Sequence, residues 1–326
     1  MPAQVRTHRE ATPRRVRENH SMASAPSLDA VALDYFIVDV FTETALAGNP
    51  LAVVFDTLGL NPDRMQAIAR EFNLSETTFV QRRPAVVEEA EGVRVRIFTT
   101  QEELPFAGHP TLGTASILKR IAPQAVRDST IALALNVGRV PVRFRDARSD
   151  SLFAEMTQRD PEFGKELDPS VVARLTGLSL DDLDPSAPPQ VVSTGTAFAI
   201  VALRSADALA RLNVNQSESV EYLRKAGARW FYVLGPTGSS LPDFRARMQF
   251  YGGEDPATGS AAGCAISYLV ARGAVASDRR IHVRQGVEIR RPSDLFLTAK
   301  VNLAKVTDVR VAGSTVLVAN GRIFLP

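Results

Sequence analysis

One cysteine, Cys264, stands in 326 residues, so no intramolecular disulfide can form and a reducing, cytoplasmic setting is the expectation. Histidine is almost as scarce: there are four, and only His109 and His282 lie beyond the first 21 residues. With no His/Cys cluster at zinc-ligand spacing, no HExxH and no EF-hand loop, the sequence offers no metal site. The glycines form neither GxGxxG nor a Walker phosphate loop, so a nucleotide cofactor is not expected either. A serine-hydrolase elbow, Gly-x-Ser-x-Gly, is also missing. No apolar run approaches the roughly 20 residues a membrane span requires, and no membrane partner is expected. A one-signed charge is lacking too. The first 21 residues hold five arginines against two glutamates, a local +3 that leaves −1 for the rest of a chain whose net charge is +2. No basic field for nucleic acid follows.

What is present is an ordinary globular composition, 45% hydrophobic and 23% charged, on a chain long enough for two domains. Residues 1–21 are nearly free of apolar side chains, and the basic stretch 1–30 reads as a disordered extension. Its arginines suggest a transit peptide, but Glu10, Glu18 and scarce serine argue against one. A start at Met22 is the alternative.

Periodicity sets out the elements. Tyr35 to Phe41 reads as a strand, Gly48-Asn49-Pro50 as a turn, and Leu51 to Phe55 as its hairpin partner. Asn61-Pro62-Asp63 opens a helix through Glu71, a short strand starts at Ser75-Glu76, and Val93 to Thr99 alternates as a half-exposed strand. Thr130 to Phe144 reads as two strands joined at Gly138, followed by a strand at Leu152 to Met156 and a helix at Pro169 to Thr176. Val191 to Val201 reads as one strand echoing Ser75 to Val80, with Gly195 in place of the acid. A helix at Glu218 to Ala226 and a strand at Trp230 to Leu234 come next, and short strands dominate from Ile281 onward. The expectation is an α+β chain of two similar domains, 31–148 and 149–326, with the last strand returning to the first domain.

A repeated phrase carries the chemistry. His109-Pro110-Thr111-Leu112-Gly113-Thr114-Ala115 and Asp255-Pro256-Ala257-Thr258-Gly259-Ser260-Ala261 share the pattern [His/Asp]-Pro-x-x-Gly-[Ser/Thr]-Ala, each after an Arg-x-Arg strand (Arg94/Arg96, Arg245/Arg247). Proline favours the first helical position. His109 and Asp255 are therefore expected at or beside helix N-caps, where free N–H groups and the positive dipole end would bind an anionic small molecule. With metals and nucleotides set aside, acid–base work by carboxylates and a histidine remains. Each residue also has a plainer reading. His109 and Asp255 serve as caps, Ser260 bonds its own helix backbone, and Asn49 shapes a turn. Cys264 fills core space, and the arginine pairs form solvated strand faces.

Three blocks resemble the signatures of the PhzF-like phenazine-biosynthesis isomerases: Ser75 to Val80, Glu103 to Gly113, and Gly253 to Ala261, with Gln285-Gly286 and Arg291-Pro292-Ser293 similar to a later block. The resemblance covers about 33–326. It implies the diaminopimelate epimerase-like fold: two domains, each a curved sheet rolled around a central helix, with the active site in the cleft between them. The central helices would start at Pro110 and Pro256. It further implies Glu76 as catalytic acid/base and His109 and Asp255 as its catalytic partners. Gly108, Gly259, Ser260 and Asn49 would contact substrate, with no cofactor and a homodimeric assembly. The reaction it implies is isomerisation of trans-2,3-dihydro-3-hydroxyanthranilate. The alternatives are one-base racemisation or lyase chemistry on the same site, and a non-catalytic binding member. Two-base racemases of that fold use a cysteine on each helix mouth; Gly108 and Asp255 are expected there instead. Thr99 to Leu104 lacks the proline common in the family, in a loop bordering the cleft.

Overall fold

Alternating apolar and polar residues make strand the commonest regular element. The computed structural model describes residues 31–145, 151–251 and 253–325; the expected extension, 1–30, and the expected boundary between 148 and 149 lie outside the described residues. The first half runs β1 (Val31–Val40), β2 (Asn49–Val54), α1 (Pro62–Phe72), β3 (Glu76–Gln81), α2 (Ala85–Glu91), β4 (Val93–Phe98), β5 (Glu103–Leu104), α3 (Gly108–Ile121), β6 (Thr130–Leu135) and β7 (Gly138–Phe144). Helix α1 starts where the sequence places it: Asn61 accepts from the Arg64 N–H, Pro62 occupies the first turn, and Asn73 ends it in a left-handed conformation. Its Met65, Ile68 and Ala69 are buried beneath the sheet.

The second half runs β8 (Leu152–Thr157), β9 (Glu162–Glu166), α4 (Pro169–Thr176), β10 (Gln190–Ser193), β11 (Ala197–Ala202), α5 (Gln216–Ala226), β12 (Trp230–Pro236), β13 (Phe244–Arg247), β14 (Gln249–Phe250), β15 (Gly253–Glu254), α6 (Gly259–Ala271), β16 (Ile281–Gln285), β17 (Ser293–Asn302) and β18 (Lys305–Leu325). Strands β1-β2-β3-β4-β6-β7-β8-β18 form a ring that closes through β18 on β1, and β18-β17-β16-β13-β12-β11-β10-β9 continue the sheet around the second half. Strand β18 is shared. It pairs with β17 through Lys305–Ala312, with β8 through Arg310–Thr315, and with β1 through Thr315–Leu325. One apolar cluster runs from Val38 and Leu112 to Leu269 and Val311, so the core does not break between the halves. The central helices are its axis: α3 is buried from Gly108 to Leu118 and α6 from Gly259 to Val270. Among the described residues no helix is long and apolar enough to cross a membrane.

The halves repeat the same strand logic, but in a different register from the repeated phrase. The pairings β2–β3, β3–β4 and β4–β6 are parallel, antiparallel and parallel, as are β11–β12, β12–β13 and β13–β16. Arg94, Arg96, Glu103, Pro105 and Gly108 match Arg245, Arg247, Glu254, Pro256 and Gly259, a constant offset of 151. His109 therefore corresponds to Ser260, and Asp255 to Leu104. The central helices begin at Gly108 and Gly259, not at Pro110 and Pro256. Pro110 is third in its helix, and Pro256 lies before one.

Two further expectations change. Val191 to Val201 is a hairpin, β10 and β11, broken at Thr194-Gly195-Thr196 where Gly195 takes φ 138° against the Phe106 ring. It matches β1 and β2, so Gly195 does not stand in for Glu76. Leu51 pairs with Glu76 as Phe198 pairs with Trp230, which makes Trp230 the counterpart of Glu76. The chain beyond Ile281 ends in strands of 10 and 21 residues, not short ones.

Candidate active site

Both helix mouths open on the same point. A Cβ on Gly108 would fall 2.5 Å from the Gly259 carbonyl carbon and the Ser260 nitrogen, so the two mouths meet backbone to backbone. Neither helix carries a side-chain cap, which leaves first-turn N–H groups and two positive dipole ends gathered at the contact. The expectation of Asp255 at a mouth is corrected here: the mouth residues are Gly108 and Gly259, and Asp255 lies four residues before α6. Cys264 sits in the interior of α6 against Thr194 and the Thr196 carbonyl, in the core.

Four of the expected residues converge around this contact. Glu76 begins β3, His109 is second in α3, Asn49 begins β2, and Asp255 follows β15. Glu76 is 8% exposed, His109 2% and Asp255 3%. Glu76 Oε2 lies 3.5 Å from His109 Nε2. Neither of these atoms has a hydrogen-bond partner among the described residues, nor does Asn49 Oδ1. The Asn49 amide nitrogen donates to Asp255 Oδ1 at 2.7 Å and to the Ala257 carbonyl at 2.9 Å, and lies 3.1 Å from His109 Nδ1. Thr258 Oγ1 donates to Asp255 Oδ2 at 2.6 Å, and Ser75 also bonds this carboxylate. Ser260 is buried, second in α6, in the place His109 holds in α3.

Burial governs protonation. Desolvation, reinforced by the nearby Asp255 charge, raises the Glu76 carboxyl well above its ordinary range. Asp255 is pushed up to about 6 by burial, against the opposing hydrogen bonds from Thr258, Asn49 and Ser75. His109 is pushed down to about 3 by burial, with a ring N–H bonded to the Pro50 carbonyl as the opposing effect. Since Nε2 has no partner, that N–H is assigned to Nδ1, which leaves Nε2 a lone-pair acceptor facing Glu76. The site at neutral pH thus holds a neutral imidazole beside a carboxyl of high proton affinity.

Several supporting residues carry no individual signal in the sequence. Gln285 accepts from the Thr258 N–H and donates to the Asp255 carbonyl and Thr258 Oγ1, fixing the segment that presents Asp255. It belongs to the late block read as family-like, so its position was marked while its task was not. Ser75 and Thr258 stand inside the first and third blocks in the same way. The arginine pairs are not solvated strand faces throughout: Arg96 grips Glu103 and Arg247 grips Glu254, each through two nitrogens, bracing the chain five residues before its helix mouth. At the rim, Glu102 bridges the halves, taking Arg229 at 2.7 Å and the Tyr251 hydroxyl at 3.0 Å. Among the described residues no group of three or more His, Cys, Asp or Glu is arranged to hold a metal.

The family model described as "Phenazine biosynthesis-like protein" matches residues 38–321. An uncharacterised isomerase of Mesorhizobium japonicum is 36% identical over 90% of this chain and 99% of its own length. The trans-2,3-dihydro-3-hydroxyanthranilate isomerase of Pseudomonas fluorescens is 34% identical over 90% of this chain and 99% of its own. Among solved structures, a PhzF-family phenazine biosynthesis protein of Bacillus anthracis superimposes with a TM-score of 0.78 at 25% identity, covering 90% of this chain and 100% of its own. A hydroxyproline epimerase of Agrobacterium vitis shares the fold at a TM-score of 0.62 and 11% identity, over 90% and 93% of the two chains. The chain is an isomerase with the diaminopimelate epimerase-like fold and belongs to the PhzC-PhzF family of phenazine biosynthesis-like proteins.

Proposed function

We propose that the protein moves a proton between two carbons of a small amino- and carboxyl-bearing anion, with trans-2,3-dihydro-3-hydroxyanthranilate as the first candidate substrate. The observation that carries this reading is the pair Glu76 Oε2 and His109 Nε2. Two buried polar atoms 3.5 Å apart lack hydrogen-bond partners among the described residues, beside two uncapped helix mouths. Buried polar atoms left without partners are costly, and a substrate that supplies them makes the arrangement favourable.

The substrate carboxylate sits at the first-turn N–H groups around Gly108, Gly259 and Ser260, which stabilise negative charge without a basic side chain. Asp255, held by Asn49 and Thr258, takes the substrate amine. Glu76 removes a proton from one carbon, the C–H electron pair shifts through the conjugated ring, and Glu76 returns the proton at another carbon. Glu76 ends in the state in which it began. No electrons leave the substrate, so the reaction calls for no redox cofactor. A carboxyl with raised proton affinity is the stronger base towards carbon once ionised, and when Glu76 holds the proton the neutral Nε2 beside it is a lone-pair acceptor facing that oxygen. The pseudo-symmetric position of Glu76 holds Trp230, whose indole cannot act as a base, and this favours transfer on one face.

Proton NMR in D2O tests the reading with full-length protein, the candidate substrate and Glu76→Gln. Turnover by the wild type and loss in the variant is the expected result. Turnover surviving in Glu76→Gln would remove Glu76 from the role. No turnover by either protein would remove the candidate substrate.

A further inference from the structure

The halves differ in the loop that follows β6 and its counterpart β16. Two residues, Asn136 and Val137, join β6 to β7, whereas seven, 286–292, join β16 to β17. The longer loop carries Arg291. Its Nε donates to the Gly48 carbonyl at 2.8 Å, and its Nη2 donates to the Ala47 carbonyl at 2.8 Å and to Asp39 Oδ1 at 2.5 Å. The neighbouring Pro292 carbonyl accepts the Gly48 N–H at 3.1 Å. Asp39 is buried, and its other oxygen accepts the Leu46 N–H at 2.6 Å. Leu46, Ala47 and Gly48 are thus all tied to one guanidinium–carboxylate pair, and the next residue is Asn49.

The first half's Asn49 and the second half's Thr196 make reciprocal crossings of the cleft. Asn49 donates to the Ala257 carbonyl at 2.9 Å, and Thr196 donates to the Phe106 carbonyl at 3.1 Å; Phe106 and Ala257 are counterparts under the offset of 151. Only Asn49 also holds a carboxylate and touches the imidazole. The arginine anchor therefore occurs on the side where the crossing residue contacts groups that carry protons.

We propose that Arg291 is a positioning residue: by anchoring the Ala47–Gly48 turn it holds the Asn49 amide against Asp255, and so sets the proton affinity of that carboxylate across the cleft. Its bearing on catalysis rests on the acid–base reading above, but the coupling itself is a property of the free protein. The sign follows from the hydrogen bond. An N–H donated to Asp255 favours its charged form, so a loosened Asn49 raises the pH at which Asp255 ionises. The charged and titratable groups around Asp255 are Glu254, which pushes it the same way, Glu76, which the Asp255 charge pushes upward, Arg247 paired with Glu254, the buried Tyr232 hydroxyl, and neutral His109 beyond Asn49.

The test is a carboxyl-13C NMR titration of full-length protein labelled at aspartate, with Asp255 assigned by its loss in Asp255→Asn. Asn49→Ala, Arg291→Ala, Arg291→Lys and Asp39→Asn are compared with wild type. Asn49→Ala and Arg291→Ala are expected to move the Asp255 midpoint upward by about one pH unit, roughly tenfold in proton affinity, and Arg291→Lys by less. Asp39→Asn separates mechanisms. Removing a negative charge acts through the field to lower the midpoint, whereas freeing the turn raises it, because an amide oxygen can accept from only one of Leu46 and Arg291. An upward shift supports the proposal; no shift or a downward one overturns it. So does an Asp255 midpoint unmoved in both arginine variants while Asn49→Ala moves it. If Arg291→Ala does not fold, Arg291→Lys and Asp39→Asn decide. With an active substrate, KM is expected to rise as pH falls below the shifted midpoint, because Asp255 takes the amine in its charged form, and the acid limb of kcat/KM to track the NMR midpoint. If no substrate turns over, the proposed reaction fails and the midpoint comparison still stands.

Discussion

Replacing Asp255 with asparagine should make the protein more stable and less active, and the pH dependence of the gain is the informative part. Burial raises the ionisation of Asp255 from 3.8 to about 6, which at ~1.4 kcal/mol per pH unit corresponds to about 3 kcal/mol. The sign is unfavourable to folding. Below pH 3.8 both folded and unfolded chains hold the proton, and burial of this group brings no ionisation penalty. As pH rises, the unfolded chain releases its proton first, and the folded state loses ground until its own carboxyl ionises near 6; above that the penalty is constant. Asparagine removes it, and the replacement fits, since its oxygen can accept from Asn49 and its N–H can donate to the hydroxyls of Thr258 and Ser75. The loss of charge also relieves Glu76, which Asp255 pushes upward. Urea denaturation of wild type and variant from pH 4 to pH 8 should show no difference at the acid end and a gain of about 3 kcal/mol at pH 8, with an unchanged m-value. The depressed His109 acts in the opposite window, lowering stability as pH falls from 6.5 towards 3, but it is common to both proteins and cancels. A gain that is flat with pH, or a loss at pH 8, would refute the claim that the site holds this carboxylate at the expense of stability.

Two structural substitutions follow from the same geometry. Gly108→Ala places a methyl 2.5 Å from the backbone of Gly259 and Ser260, where no flexible side-chain end can yield; differential scanning calorimetry should show a loss of at least 1–3 kcal/mol or so, and turnover should fall with it. Unchanged melting would mean that the mouths do not meet. Arg247→Ala strands Glu254 in a pair whose side chains are 9% and 6% exposed, and denaturant titration should show a loss of about 3–5 kcal/mol. The counterpart Arg96→Ala, in a pair 16% and 24% exposed, should cost clearly less. Equal losses would mean that burial does not separate the two braces.

Local pattern identified the elements where short-range chemistry decides them. The Asn61-Pro62 helix start, the Gly138 hairpin and the helix at Pro169–Thr176 all fall where the sequence places them. It misjudged β18 because Ala312-Gly313-Ser314 and Ala319-Asn320-Gly321 look like turns. The strand runs through because each glycine lies under an aromatic ring, Tyr35 from the middle of β1 at Gly321 and Phe41 from just past its end at Gly313. The repeat was misregistered for a related reason. The phrase starting at His109 and Asp255 is a local coincidence of Pro, Gly and Ala, whereas the real register is set by Arg96–Glu103 and Arg247–Glu254. The equal spacing of the two Arg-x-Arg pairs was the available clue. The proximity of Glu76, His109 and Asp255, far apart in sequence, was legible only through the resemblance. The tasks of Gln285 and Arg291 are fixed by contacts with backbone carbonyls that no side-chain pattern encodes.

The duplicated fold itself accounts for a binding place but not for chemistry. Two like halves bring two helix starts together, and with glycine at both, the result is a nearly symmetric cradle for negative charge. Every residue of the proposed site outside the helix mouths departs from that symmetry: Glu76 stands in the place of Trp230, His109 in that of Ser260, Asp255 in that of Leu104, and Asn49 in that of Thr196. A symmetric pair of bases would suit inversion at one carbon, with removal on one face and return on the other. A single buried carboxyl beside a single imidazole suits removal and return on the same face, which requires two carbons within reach of Glu76. That requirement favours a planar or conjugated substrate over an isolated stereocentre. It can be checked on any molecule that turns over, because in a single forward turnover the product should gain hydrogen or solvent deuterium at a carbon other than the one that lost it, whereas epimerisation returns it to the same carbon.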